Sequence, residues 1–352
     1  MNFIGTALIG LVLSGTALAF SEWDGLSNPD IIRSGFTHRL YDLPLEGAIF
    51  YGPRGWSGHY WPSIKGGINN RWNSRREKDQ YDFVSPTRDQ IFRMNANQLS
   101  TLSPSEKYDI FMGRYDFPLK QEVYSHARRD GKEWEGICHG WALVSLMYDE
   151  PTAVTLRNPD GINVPFGSAD VKALLSYYYA WHVDAAPARQ IGQRCNFGRW
   201  TGGQRACDDD LNAGAFHIVL TNKIALQKEG FVMDVERWDE VWNQPVIGYS
   251  SRVVGTYTRP SPSAARNAVS ELKLATTVWY VDEDEPSWYP NFGTNNQVFA
   301  KKELIYRLEL DSQGQIVGGA WESEERPDFV WSRPKETSFQ GILARLPLLL
   351  KN

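Results

Sequence analysis

Apolar positions at helical spacing recur in three places along the chain. Val171, Leu174, Leu175 and Tyr178 mark one face of a helix over 169–182, with Ser168 as its cap and His182 placed to serve the last turn. An amphipathic run over 143–148 is stopped by Asp149-Glu150-Pro151, and Ser103-Pro104-Ser105-Glu106 combines a cap, a first-turn proline and a capping-box acid. Shorter apolar stretches bounded by turn residues predict strands over 162–166, 215–220, 231–235, 277–281, 304–310 and 316–321, the last two joined by the turn Asp311-Ser312-Gln313-Gly314. The stretch 241–249 reads as turn-rich. Helices before and strands after predict an α+β fold with a sheet-rich C-terminal half.

Residues 20–105 depart from this pattern, being rich in aromatics, Gly, Pro and Asn with few helical periods. They read as irregular structure and short strands packed on a core that begins near residue 106. Their densest patch is Trp56 to Pro62, which reads as packing surface, with stacking on sugars or peptide as the alternative use. Residues 1–19 hold a short apolar stretch from Ile4 to Leu13 and end in Ala17-Leu18-Ala19, the pattern of a signal peptide that leaves Phe20 as the mature start. The expected organisation is thus 1–19 leader, 20–105 aromatic-rich region and 106–352 catalytic region, in an exported chain without a membrane span.

At 42% hydrophobic content the chain can bury a large core, which excludes a disordered protein. A net charge of −5 without a basic run gives no footprint for nucleic acid. Three cysteines in an exported chain leave one over. Cys195 and Cys207 flank a polar, Gly-rich loop, and their pairing would stabilise the fold by roughly 3 kcal/mol. Cys138 is then the free thiol.

Cys138 sits in Trp-Glu-Gly-Ile-Cys-His-Gly-Trp-Ala, at the start of the helix that follows. Unpaired N–H groups and the helix dipole favour a thiolate there, the state in which cysteine is a nucleophile; the competing reading is a buried, inert thiol. His217 and Asp234 each interrupt an apolar strand. If those strands are neighbours, the carboxylate orients the imidazole and the imidazole faces the thiol, giving a Cys138–His217–Asp234 triad in the chain order of papain-like enzymes. Asp208, Asp209 and Asp210 could supply oxygen ligands to Ca²⁺, although they lack EF-hand spacing and also fit a solvated acidic turn.

The segments W-E-G-I-C-H-G-W-A, A-F-H-I-V-L-T-N and V-W-N-Q-P-V-I-G-Y, with W-S-G-H-Y-W-P, D-V-K-A-L-L-S, I-V-G-G-A-W and P-D-F-V-W, resemble the transglutaminase elicitor family over most of the mature chain. The resemblance implies a papain-like core and a secreted, Ca²⁺-dependent protein-glutamine γ-glutamyltransferase acting on glutamine donors and lysine or amine acceptors. It gives Cys138, His217 and Asp234 the roles of nucleophile, base and orienting acid. It also makes V-W-N-Q-P-V part of a surface fragment perceived by plants, from which Ile247 and Ser250 depart. The papain-like pattern puts an oxyanion donor about six residues before the nucleophile, where this chain has Lys132; the backbone N–H of Cys138 is the other donor. Two further functions fit the same residues: a cysteine peptidase or glutamine deamidase, and a non-catalytic cell-wall-binding protein using the aromatic patch.

Overall fold

Capping signals set the short helices of the N-terminal half. A computed structural model describes residues 21–49, 55–77, 81, 84–183, 187–194, 211–336 and 338–350. After strand β1 (Glu46–Ala48) come α1 (Arg88–Arg93), α2 (Ala96–Ser100) and α3 (Pro104–Phe111), each opened by a capping box, from Thr87 and Gln90, Asn95 and Gln98, and Ser103 and Glu106. In α3 the box acid does more, because buried Glu106 also holds Arg71 at 2.8 Å and Lys120 at 3.1 Å. Lys120 belongs to α4 (Pro118–His126), and Asp109 of α3 accepts from the N–H groups of Leu119 and Lys120 at its start.

The central helix α5 (Cys138–Ser145) is followed by the hairpin β2 (Val154–Arg157) and β3 (Asn163–Phe166), turned by Asn158-Pro159-Asp160-Gly161. Next is α6 (Ser168–Trp181), whose expected face of Val171, Leu174, Leu175 and Tyr178 is buried. His182 is its C-cap and pairs with Glu122 at 2.7 Å. Helix α6 lies against α5 so closely that a Cβ on Gly140 would stand 2.2 Å from the carbonyl oxygen of Ser176. Gly136 is equally confined, with Tyr60 O at 2.4 Å from its ideal Cβ. The glycines on either side of Cys138 therefore let two other segments approach the thiol's backbone.

The remaining elements are β4 (Arg189–Gly192), α7 (Ala213–Leu220), β5 (Phe231–Asp234), β6 (Asn243–Tyr257), β7 (Ser270–Val281), β8 (Phe299–Leu310), β9 (Ile316–Trp321) and β10 (Phe329–Ser332). They form a curled antiparallel sheet in the order β4-β10-β5-β6-β7-β8-β9, with β1 also paired to β6. Alternation along β5 divides the core. Val232 joins the cluster of Trp141, Leu143 and Leu174 on one face, while Phe231 and Met233 join Phe216, Ile218 and Tyr306 on the other.

The N-terminal region is built into both clusters. Ile32, Phe36 and Leu40 pack on the α7 side, and Trp56 and Trp61 pack behind α5. Trp141 donates to the carbonyl of Trp56 at 3.1 Å, and Trp56 donates to that of Tyr148 at 3.0 Å. The aromatic patch at these two tryptophans is core. The tail packs on the core, with Leu343, Leu346 and Leu349 buried.

Two expected elements are corrected. The predicted strand over 215–220 is helix α7, continued as a π-helical turn over Thr221–Leu226. An apolar run buried on every side reads alike as strand or helix. Asn212 decides it by accepting from the N–H groups of Gly214 and Ala215, and the small Ala213-Gly214-Ala215 start lets the helix lie on β9, where a Cβ on Gly214 would be 2.3 Å from Gly318 O. The turn-rich stretch 241–249 is mostly the start of β6, a central strand carrying Pro245 opposite Val232 and a register shift between Val246 and Gly248. Its turn-forming residue types are polar side chains with buried partners.

Candidate active site

Cys138 is the first residue of α5, a free thiol only 4% exposed. Ile137 before it has no side-chain oxygen to cap the helix, and its own N–H is held by Tyr60 O at 2.7 Å. The first turn of α5 thus offers backbone donors beside the sulfur, the arrangement that stabilises an oxyanion. Helix α5 packs on β5 and β6. Asp234 and Asn243 are register partners on these strands and share the face that carries Val232.

Asn243 organises the thiol. Its Nδ2 lies 3.7 Å from Sγ and its backbone N–H also donates to the sulfur, while its Oδ1 accepts from Trp331 Nε1 at 2.7 Å. That last bond fixes which end of the amide faces the sulfur. The thiol in turn lies 3.8 Å from the carbonyl of Val241. Asp234 Oδ1 accepts from the N–H groups of Trp242 at 2.9 Å and Glu236 at 3.4 Å, and Oδ2 is buried with no hydrogen-bond partner.

The field at the sulfur is negative. Burial pushes the thiol up to about 11, with Glu283 and Asp234 adding to the rise against the hydrogen bonds from Asn243. Burial likewise pushes Asp234 up to about 7. Glu283 rises to about 8 through burial and its neighbour Asp282, although Gln244 Nε2 donates to both carboxylates, at 3.1 and 3.3 Å. At neutral pH the thiol is protonated, and Asp234 is a buried carboxyl, near its own midpoint, whose charge reaches the sulfur.

Beyond Val241 and Trp242 opens a cleft of about 800 Å³. Tyr60, Trp134, Trp238 and Trp242 line it with the carboxylates of Glu133, Glu236, Asp239 and Glu240. Tyr60 and Trp242 meet edge to face, 5.3 Å between centroids. Lys132, a candidate oxyanion donor beside the backbone N–H of Cys138, is on this outer wall in an ion pair with Asp239, over the Trp134 ring at 5.5 Å.

The expected triad does not assemble in this structure. Cys138 and Asp234 come together, but His217 is on α7, on the other face of the sheet, and not on a strand beside Asp234. It is 1% exposed, its Nδ1 pairs with Tyr306 Oη at 2.8 Å, and burial holds its pKa down to about 3. His217 is a neutral link in a buried chain that continues from Tyr306 to Thr276 and Ser251. His139, next to the nucleophile, donates instead to the carbonyl of Ala180 on α6. Asn243 is the site residue that sequence reasoning missed, although its signal was present: polar Asn-Gln directly before an apolar run, like the Asp of β5. Within V-W-N-Q-P-V, Asn243 to Val246 are buried, while Val241 and Trp242 are partly exposed and Trp242 lines the outer cleft.

The proposed disulfide cysteines, Cys195 and Cys207, and the calcium candidates Asp208, Asp209 and Asp210 lie outside the described residues, as does the leader. Among the described residues no group of three or more His, Cys, Asp or Glu side chains could hold a metal ion, and no helix is long and apolar enough to cross a membrane.

No curated protein matches the chain. Among solved structures it is similar to the crystal structure of the GP42 transglutaminase from Phytophthora sojae, with a TM-score of 0.64 and 22% identity over 91% of this chain and 94% of that one. At that identity the likeness establishes a shared fold of helices on a curled antiparallel sheet. The family model for the transglutaminase elicitor matches residues 35–343, a span that contains Cys138, Asp234 and Asn243. With most of its length matched, the chain belongs to the transglutaminase elicitor family.

Proposed function

We propose that the chain is a secreted thiol acyltransferase, a protein-glutamine γ-glutamyltransferase, with Cys138 as nucleophile. The observation that carries this reading is a free thiol at the start of a helix, held by Asn243, whose register partner Asp234 carries a buried, unpartnered Oδ2. Asp234 takes the thiol proton as sulfur attacks the carboxamide carbon of a glutamine side chain, and the resulting oxyanion is met by N–H groups of the first turn of α5. The proton then passes to the departing nitrogen, which leaves as ammonia and gives the thioester. A primary amine attacks the thioester, Asp234 receives its proton, and the thiol is restored as the isopeptide forms.

The acidic surroundings favour an amine over water as acceptor. The carboxylates of Glu133, Glu236, Asp239 and Glu240 in the outer cleft attract a protonated amine, and its aromatic walls suit a lysine's apolar stem and ammonium. A papain-like assignment would rest on the helix-borne cysteine and the sheet-borne acid, with Asn243 in the buried strand position beside Trp331. No step passes through His217 or a metal ion. The test is to incubate the mature protein with a glutamine peptide and a tagged primary amine and to follow ammonia release and amine incorporation by mass. Acyl transfer gives both in equal amounts, abolished by Cys138→Ala. Ammonia with glutamate as the product identifies a deamidase, backbone cleavage a peptidase, and no turnover by a folded, free-thiol protein sinks the enzyme reading.

A further inference from the structure

A second cavity, of about 500 Å³, opens away from the outer cleft, at the C-terminal end of α5. Its wall collects six cations, Arg33, Arg189, Lys223, Lys228, Arg333 and Lys335, from four separate stretches of a chain whose net charge is −5. One carboxylate lines it with them. That carboxylate, Glu229, is shared between Lys223 at 2.5 Å and Arg33 at 3.5 Å. Two other cations are anchored by neutral groups: Lys335 donates to Met147 O at 2.8 Å and Arg189 to Ile32 O at 3.3 Å. Arg333 Nε is buried with no hydrogen-bond partner. Lys228 holds a left-handed backbone conformation, φ 58°, in the turn before β5.

Solvated surface cations normally spread apart or pair with acids, because like charges brought together repel. Here tertiary structure gathers them around a concave space with an apolar floor of Leu143, Leu146 and Phe231. We propose that this cavity binds an anionic ligand carrying two or more carboxylate or phosphoryl groups, independently of acyl transfer. Arginine forks can take two oxygens of one such group while the lysines supply point charges to a second. The site backs on α5 and on the start of β5, the two elements that carry Cys138 and Asp234 at their opposite ends.

Calorimetric titration of the mature protein with two probes, pyrophosphate and trigalacturonate, tests this, with neutral maltotriose as the control. Saturable one-to-one binding is expected for at least one anion, weakening as NaCl rises, and none for maltotriose. The stronger probe distinguishes a phosphoryl from a carboxylate ligand. In the double variant Arg189→Glu, Lys228→Glu binding should fall by about tenfold or more, because two attractions become repulsions. Lys301→Glu, an exposed charge reversal on β8, should bind as the parent does, and matching melting temperatures check that each variant is folded. Absence of saturable binding by both anions, or equal binding by the folded double variant, overturns the proposal.

Discussion

The chemistry at the sulfur depends on two side chains whose environments are set by burial. Asp234 is held near neutrality, so the rate of acyl transfer should rise with pH through about 7 as its carboxylate ionises. Asp234→Asn should lower that rate by about 100-fold or more and flatten this limb of the profile, measured as kcat/KM against pH. The same group affects stability with a definite sign. Its folded pKa lies above the unfolded value near 3.8, so the folded state prefers the neutral acid, and stability is lost as pH rises from about 4 through about 7. Denaturant titrations at pH 4 and pH 8 should therefore show a smaller difference in Asp234→Asn than in the parent, by up to about 4 kcal/mol. Asn243→Ala should cost about 1–3 kcal/mol, because Trp331 Nε1 loses its buried acceptor, and should slow alkylation of Cys138 by removing an amide that favours the thiolate. Equal alkylation rates in parent and variant would contradict this role for Asn243.

At the scale of elements, local signals were most legible where a short stretch carried its own instructions. The capping box at Ser103 and Glu106, the turn before β3 and the buried face of α6 are all visible in the sequence, because caps, turn residues and helical spacing act over a few residues. Helix α7 was not legible: its apolar run is buried all round, and the deciding contact, small residues against the Gly318-Gly319 backbone, joins positions about a hundred residues apart. Strand β6 was missed because Asn243 and Gln244 look like turn residues until Trp331, Asp282 and Glu283 supply their partners. The glycines around Cys138 stand in plain view in the sequence, but their cause lies in packing. Gly140→Ala must push α5 from α6 at Ser176, and a loss of about 1–3 kcal/mol by denaturant titration is expected; an unchanged midpoint would mean that the helices do not cross so closely.

Over the whole molecule, one curled sheet separates two polar centres. On the α5 face the thiol, Asp234 and Asn243 meet; on the α7 face His217, Tyr306, Thr276 and Ser251 form a closed chain of neutral hydrogen bonds. Sequence order alone suggested that cysteine, histidine and aspartate form one triad, because order says nothing about which face of a sheet a residue reaches. The central claim is that acyl transfer depends on Cys138 with Asp234 and not on proton transfer through His217. The most direct measurement compares the amine-transfer rates of His217→Asn, which can still accept a hydrogen bond from Tyr306, and Asp234→Asn, with circular dichroism confirming that both are folded. Retention of the rate within a few-fold in His217→Asn, with a loss of about 100-fold or more in Asp234→Asn, is the expected result. A folded His217→Asn protein without amine transfer, beside an Asp234→Asn protein that keeps it, would contradict the claim.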